Sequence, residues 1–133
     1  MTELKKFRNA IICDDIRDEI GNKKSLMGVM NGDIFVATFP ATIPLAIYLD
    51  YQHDSSTDKV IIDFRLMQDD VQIAQGNLQV PLKEGQPASF IIPRGYVSFD
   101  KPRIFRVLAS IDGQPEEEIL RKKIDVTSST SGT

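Results

Sequence analysis

The sequence has no tryptophan, a single cysteine, a single histidine and no excess of basic charge, and each shortage closes off a class of answers. One cysteine, Cys13, forbids an intramolecular disulfide, which suits a reducing compartment such as the cytoplasm. Without tryptophan and a cysteine pair the antibody-type sandwich core is missing, and three tyrosines make a poor platform for sugar rings. The lone histidine, His53, is the only side chain that titrates near neutral pH unperturbed, which argues against general acid–base chemistry. A formal net charge of −3 argues against a nucleic-acid partner, which would favour a basic face. No apolar run reaches the length of a membrane-spanning helix, and residues 1–7 lack the apolar stretch of a secretory signal, so no membrane role is expected. There is no G-x-S-x-G elbow, and Gly28–Gly32 lacks the Lys-Ser/Thr that completes a phosphate loop. No cofactor is expected.

What the chain does have is rhythm. From Phe7 to Val126 it runs in short apolar–polar alternations cut by turn signals every 8–12 residues. A period of two places alternate side chains on one face of a strand. Leu45, Ile47, Leu49 and Tyr51 form one such row, Val60, Ile62, Phe64 and Leu66 a second, and Phe105, Val107, Ala109 and Ile111 a third. The expected fold is all-β: an antiparallel β-sandwich, immunoglobulin-like or C2-like, of seven to nine strands, with a closed barrel as the alternative. At 133 residues one domain is expected over 7–126, with an N-terminal arm at 1–6 and a loose, small-residue tail at 127–133.

Local signals refine this layout. Asp15 followed by Asp18 resembles a capping box, Ile16 and Ile20 lie four apart, and Gly21 falls where a left-handed cap would, so a short helix is expected near residues 15–20. Asn31-Gly32 between Leu26–Met30 and Ile34–Ala37 signals a hairpin. Phe39–Pro44 reads as a rigid extended connector, Gly76 as a bulge or weak spot, and Pro93-Arg94-Gly95 as a break between strands.

The segments Ala10–Glu19, Gly21–Met30 and Phe39–Pro44 together resemble a family of short bacterial proteins of unknown function. Its members share an N-terminal strand ending in an acidic pair, a Gly-Lys-Ser-Leu-x-Gly-like strand entry and a Phe-Pro connector. Asn22 departs from that pattern by standing between Gly21 and Lys23. The resemblance implies a bacterial or phage source and a stand-alone sandwich; it brings no activity or ligand.

Two groups of residues are candidates for function. Asp14, Asp15, Asp18 and Glu19 put four carboxylates within six residues, a donor set suited to a hard divalent cation. Their spacing is not that of a calcium loop, and helix capping is a simpler use. Arg94, Tyr96, Phe99 and Arg103 interleave basic and aromatic groups, a composition suited to a protein contact. The simpler reading there is a connector whose aromatics plug the sandwich edge. His53 with Asp54, Ser55 and Ser56 lacks the convergence of a nucleophilic triad, so the loop reads as solvated and no enzyme is expected. Glu116–Glu118 reads as a charged hairpin tip. The expected role is a small non-catalytic module that contacts another protein or a second copy of itself. The alternative is a cation- or small-ligand-binding sandwich using the Asp14–Glu19 loop.

Overall fold

The computed structural model describes residues 7–21, 23–51, 59–81 and 88–127. The expected arm at 1–6, the His53 loop, the connector at 82–87 and the tail beyond Thr127 lie outside these residues. Ten strands follow in order: β1 Phe7–Cys13, β2 Asp15–Glu19, β3 Lys23–Met27, β4 Ile34–Val36, β5 Ala41–Tyr51, β6 Lys59–Gln68, β7 Val71–Pro81, β8 Ala88–Phe99, β9 Arg103–Ile111 and β10 Glu117–Val126. No helix occurs among the described residues. Strands β1-β5-β8 form an antiparallel three-stranded sheet, and β4-β10-β9-β6-β7 a five-stranded one, antiparallel except for the β4–β10 pair. Both sheets end in open edges, so the described residues form layers rather than a closed barrel.

The aliphatic rows account for the layering. In the five-stranded sheet Ile62 lies opposite Ile111, Phe64 opposite Ala109 and Leu66 opposite Val107. Directly opposed residues share a face, so these pairs build one apolar wall. Leu45, Ile47, Leu49 and Tyr51 of β5 build the other, and both walls belong to a single buried cluster. Phe99 of β8 and Phe105 of β9 join the layers edge to face, with ring centres 6.2 Å apart. At full burial each such side chain contributes about 1.5–3 kcal/mol against exposure.

Several local expectations are corrected. Residues 15–19 are strand β2, not a helix, and pair with β3 in the register Asp15↔Met27 to Glu19↔Lys23. Pairing sets Ile16 beside Leu26, both half-buried, and Asp18 in an ion pair with Lys24. A helix would have aligned Ile16 with Ile20, yet Ile20 stands 97% exposed at the turn. Gly21 does take a left-handed φ of +91°, as the bend of this hairpin rather than as a helix cap. The Asn31-Gly32 hairpin does not form, because β3 has its partner in β2 and β4 pairs in parallel with β10, some ninety residues away. The stretch at Pro93 is no break either. Strand β8 runs on to Phe99 through a bulge in which Pro93 and Arg94 together oppose Ala46.

The Phe39–Pro44 segment holds a cis Phe39–Pro40 bond and enters β5 directly at Ala41. Gly76 is not a bulge. It lies opposite Phe64, whose Cζ would sit 2.7 Å from any added Cβ, so the glycine is the seat of that ring. The bulge in β7 falls instead at Ile73, between the Leu66↔Ala74 and Met67↔Gln72 pairs.

The β2–β3 hairpin lies against β5 and β8. It explains why Cys13 and Ala46, cross-strand partners on the outward side of the three-stranded sheet, are 0% and 1% exposed. The Cys13 thiol donates to the carbonyls of Asp15 and Ala46, at 3.4 and 3.7 Å. Burial pushes its pKa up, with a smaller contribution in the same direction from the neighbouring Asp14 and Asp15. No described helix is long and apolar enough to cross a membrane.

Candidate functional site

The two sheets have unequal widths, and the site follows from that mismatch. Three strands cannot cover five. On one flank β8 is the last strand of the smaller sheet and β7 the last of the larger, and neither has a second partner among the described residues. Between these edges lies a cleft of about 390 Å³. Its floor is apolar, formed by Leu45, Ile47, Leu66, Ile92 and Phe105, and its polar groups are few, among them Gln68 and Ser98.

Small residues keep the cleft open. On the β8 wall Gly95 lies opposite Leu45, which points into the core, so a side chain at 95 would enter the cleft. A Cβ built there meets nothing within 4 Å, and the backbone is not left-handed. Neither sterics nor conformation therefore requires glycine at this position. On the β7 wall Ala74 lines the same cleft beside the exposed Ile73 at the bulge. One end is braced by the Gln68 side-chain amide, which donates to the Ser98 carbonyl at 2.7 Å.

The Arg94, Tyr96, Phe99 and Arg103 group divides along the strand period. Val97 and Phe99 share the inward face with Gly95, and Phe99 is 1% exposed. It is a core residue and is corrected as a contact candidate. Arg94 and Tyr96 point outward at the cleft rim. The Arg94 guanidinium carbon lies 5.2 Å from the Tyr96 ring centre, and Nη2 donates to the Tyr96 hydroxyl at 2.9 Å. Asp15 approaches Arg94 only to 3.9 Å. Tyr96 remains 67% exposed. Arg103 is committed elsewhere: it donates to Asp69 at 3.0 Å and to Asp100 at 3.0–3.2 Å. Asp69 in turn accepts from the Ile104 amide, and that bond, with Arg103 second, holds its pKa below the ordinary value. Arg103 thus ties the β6–β7 turn to the start of β9.

The acidic group does not converge. Among the described residues no three His, Cys, Asp or Glu side chains gather closely enough to hold a metal ion. Asp18 pairs with Lys24, Asp15 lies 3.6 Å from Arg17 and faces Arg94, and Asp14 packs over Gly28. Glu19 sits at the end of the hairpin ladder opposite Lys23. The Glu116–Glu118 tip is not merely solvated. Glu116 chelates Arg65 with bonds of 2.6 and 2.8 Å, and Glu118 accepts from Arg106 and Arg121.

Sequence reasoning missed Gly95 and the cleft. The only local sign was a glycine inside a strand, which marks a bulge or the close approach of another backbone. A family model described as a family of unknown function (DUF6941) matches residues 8–124. No curated protein matches the sequence.

Proposed function

The chain belongs to this family of unknown function, and from that premise we propose that it is a small non-catalytic module that binds another protein through the β7–β8 flank. One observation carries the reading: an apolar cleft opens between two sheet edges that have no further partner among the described residues, with an exposed cation–aromatic pair at its rim. Apolar clefts with a few placed polar groups hold apolar side chains, and exposed Tyr and Arg are the residue types enriched where proteins bind one another. The layered core supports a sandwich of immunoglobulin-like or C2-like type as the scaffold. The single free thiol suits a reducing cytoplasm as its setting, and the resemblance to short bacterial proteins suits a bacterial or phage source.

The test is capture from a lysate of the source cells, comparing the wild-type protein with an Arg94→Glu/Tyr96→Ser double variant. Both substitutions lie on exposed side chains, so the variant keeps its fold. Proteins retained by the wild type and lost by the variant are the expected result. An identical retained set would remove this surface from the reading.

A further inference from the structure

We propose that the cleft is the seat of an added strand: an extended segment of a partner protein pairs with the free edge of β8 over residues 94–98 and drops apolar side chains between the two sheets. This deepens the preceding reading and rests on it. Backbone pairing at an exposed edge supplies affinity, while alternate side chains supply specificity. Four observations converge on it.

The smaller sheet is short of strands on this flank, so a fourth strand beside β8 would lie over β7 and cover Ile73, which is 39% exposed. Among the described residues this edge has no partner strand from Arg94, beyond Pro93, whose missing N–H limits pairing further back, up to the Ser98 carbonyl, which accepts from Gln68. Gly95 and Ala74 leave room in the two walls for an incoming side chain, and nothing in the protein's own packing or backbone demands glycine at 95. The outward neighbours on β8 are Arg94 and Tyr96, so the added strand's outward positions face a cation and an aromatic ring. The chemistry specified is a segment with large apolar residues at alternate positions and an Asp or Glu between them, placed to meet Arg94.

A second copy of this chain fits less well. Symmetric antiparallel β8–β8 pairing over 94–98 centres on Tyr96 and sets each Arg94 opposite Ser98 of the other copy, so neither cation meets an acid. It would also leave the cleft unfilled, because the inward residues of this stretch are Gly95 and the already packed Val97 and Phe99.

The experiment is selection from a displayed library of random linear decapeptides on the full chain, followed by affinity measurements with the selected peptides. Peptides with period-two apolar residues and an intervening carboxylate are expected. Gly95→Val and Ala74→Leu, each filling one wall, should weaken their binding at least tenfold while leaving the melting temperature within a few degrees. Arg94→Glu should turn the selected acid into a base, and bound peptide should slow amide exchange across residues 94–98. If the peptides bind both wall-filled variants as well as they bind the wild type, or none is enriched over those variants, strand addition falls. A dimer that forms with rising concentration and is abolished by Gly95→Val also overturns it, by placing a second copy in the cleft. Lysate partners that depend on Arg94 and Tyr96 but ignore Gly95→Val would overturn strand addition while leaving the binding role standing.

Discussion

Replacing Phe99 by alanine tests whether the stretch at 94–103 is a strand with an inward face or an exposed contact loop. The ring is 1% exposed and meets Phe105, itself 0% exposed, edge to face. Truncating a buried Phe to Ala costs about 3–5 kcal/mol, the sum of lost transfer free energy and the cavity left behind. Domains of this kind are stable by only about 5–15 kcal/mol, so the loss is a large fraction of the whole. With an unfolding entropy of about 2.1 cal/mol/K per residue, the 133-residue chain gives about 0.28 kcal/mol/K, and the expected fall in melting temperature is about 11–18 °C. Urea and thermal unfolding followed by far-ultraviolet circular dichroism reads both numbers. Tyr96→Ala, three residues away and 67% exposed, is the control and should cost no more than about 1 kcal/mol, most of it the Arg94 contact. Equal losses from the two variants, or a Phe99→Ala cost under about 1 kcal/mol, would refute the assignment of inward and outward faces on β8.

Other outcomes follow from the same geometry. Gly28 has a φ of +70° and lies beneath Asp14, whose Cγ would stand 2.7 Å from an added Cβ, so Gly28→Ala should lower the urea midpoint clearly and Asp14→Gly should restore part of it. Asp69, Asp100, Glu116 and Glu118 all have pKa values held below their ordinary 3.8 or 4.5: Asp69 first by the Ile104 amide, Asp100 and Glu116 by Arg103 and Arg65, Glu118 by Arg106 and then Arg121. The unfolded chain therefore takes up protons first. The stability these pairs provide is complete above the unfolded values and is lost as pH falls through and below them. Urea midpoints should be level from about pH 7 to 5 and drop below about pH 4.5. The drop should be shallower for Arg65→Met, which has already lost the Glu116 pair. Millimolar calcium should leave the melting curve where a chelator leaves it, because the four acidic residues at 14–19 do not converge; a bound cation at a hundred times its dissociation constant would add about 2.7 kcal/mol.

The long rows were legible because period two is a property of each strand by itself. Val60, Ile62 and Phe64, and Phe105, Val107 and Ile111, read as strand faces in the sequence and stand as opposed walls of one sheet. Residues 15–20 misled because two local codes overlap there. Acidic residues three apart and isoleucines four apart suit a helix turn, but Leu26 and Lys24 across the hairpin, beside Ile16 and Asp18, decided for a strand. Asn31-Gly32 is a sound turn signal that lost to a non-local partner, β10, which no window around residue 32 contains. The Arg94–Arg103 candidates were half legible: composition gave residue types suited to contact, but only the β5 register tells that 95, 97 and 99 turn inward while 94 and 96 turn out. Gly95 read as part of a break after Pro93, because what matters about it is the space beside it, which a single strand does not show.

The parallel seam between β4 and β10 has a consequence for the order of assembly during synthesis. Among the described strands, β4, Ile34–Val36, has no neighbour in its sheet except β10, and the Thr127 amide still donates to the Val36 carbonyl just past it. These three residues therefore wait through some ninety further residues of synthesis before their backbone groups find their mates. Strand β10 slides in between β4 and β9 as a key into a slot, so a nascent chain halted before residue 117 leaves β4 without its ladder while β9 still holds to β6.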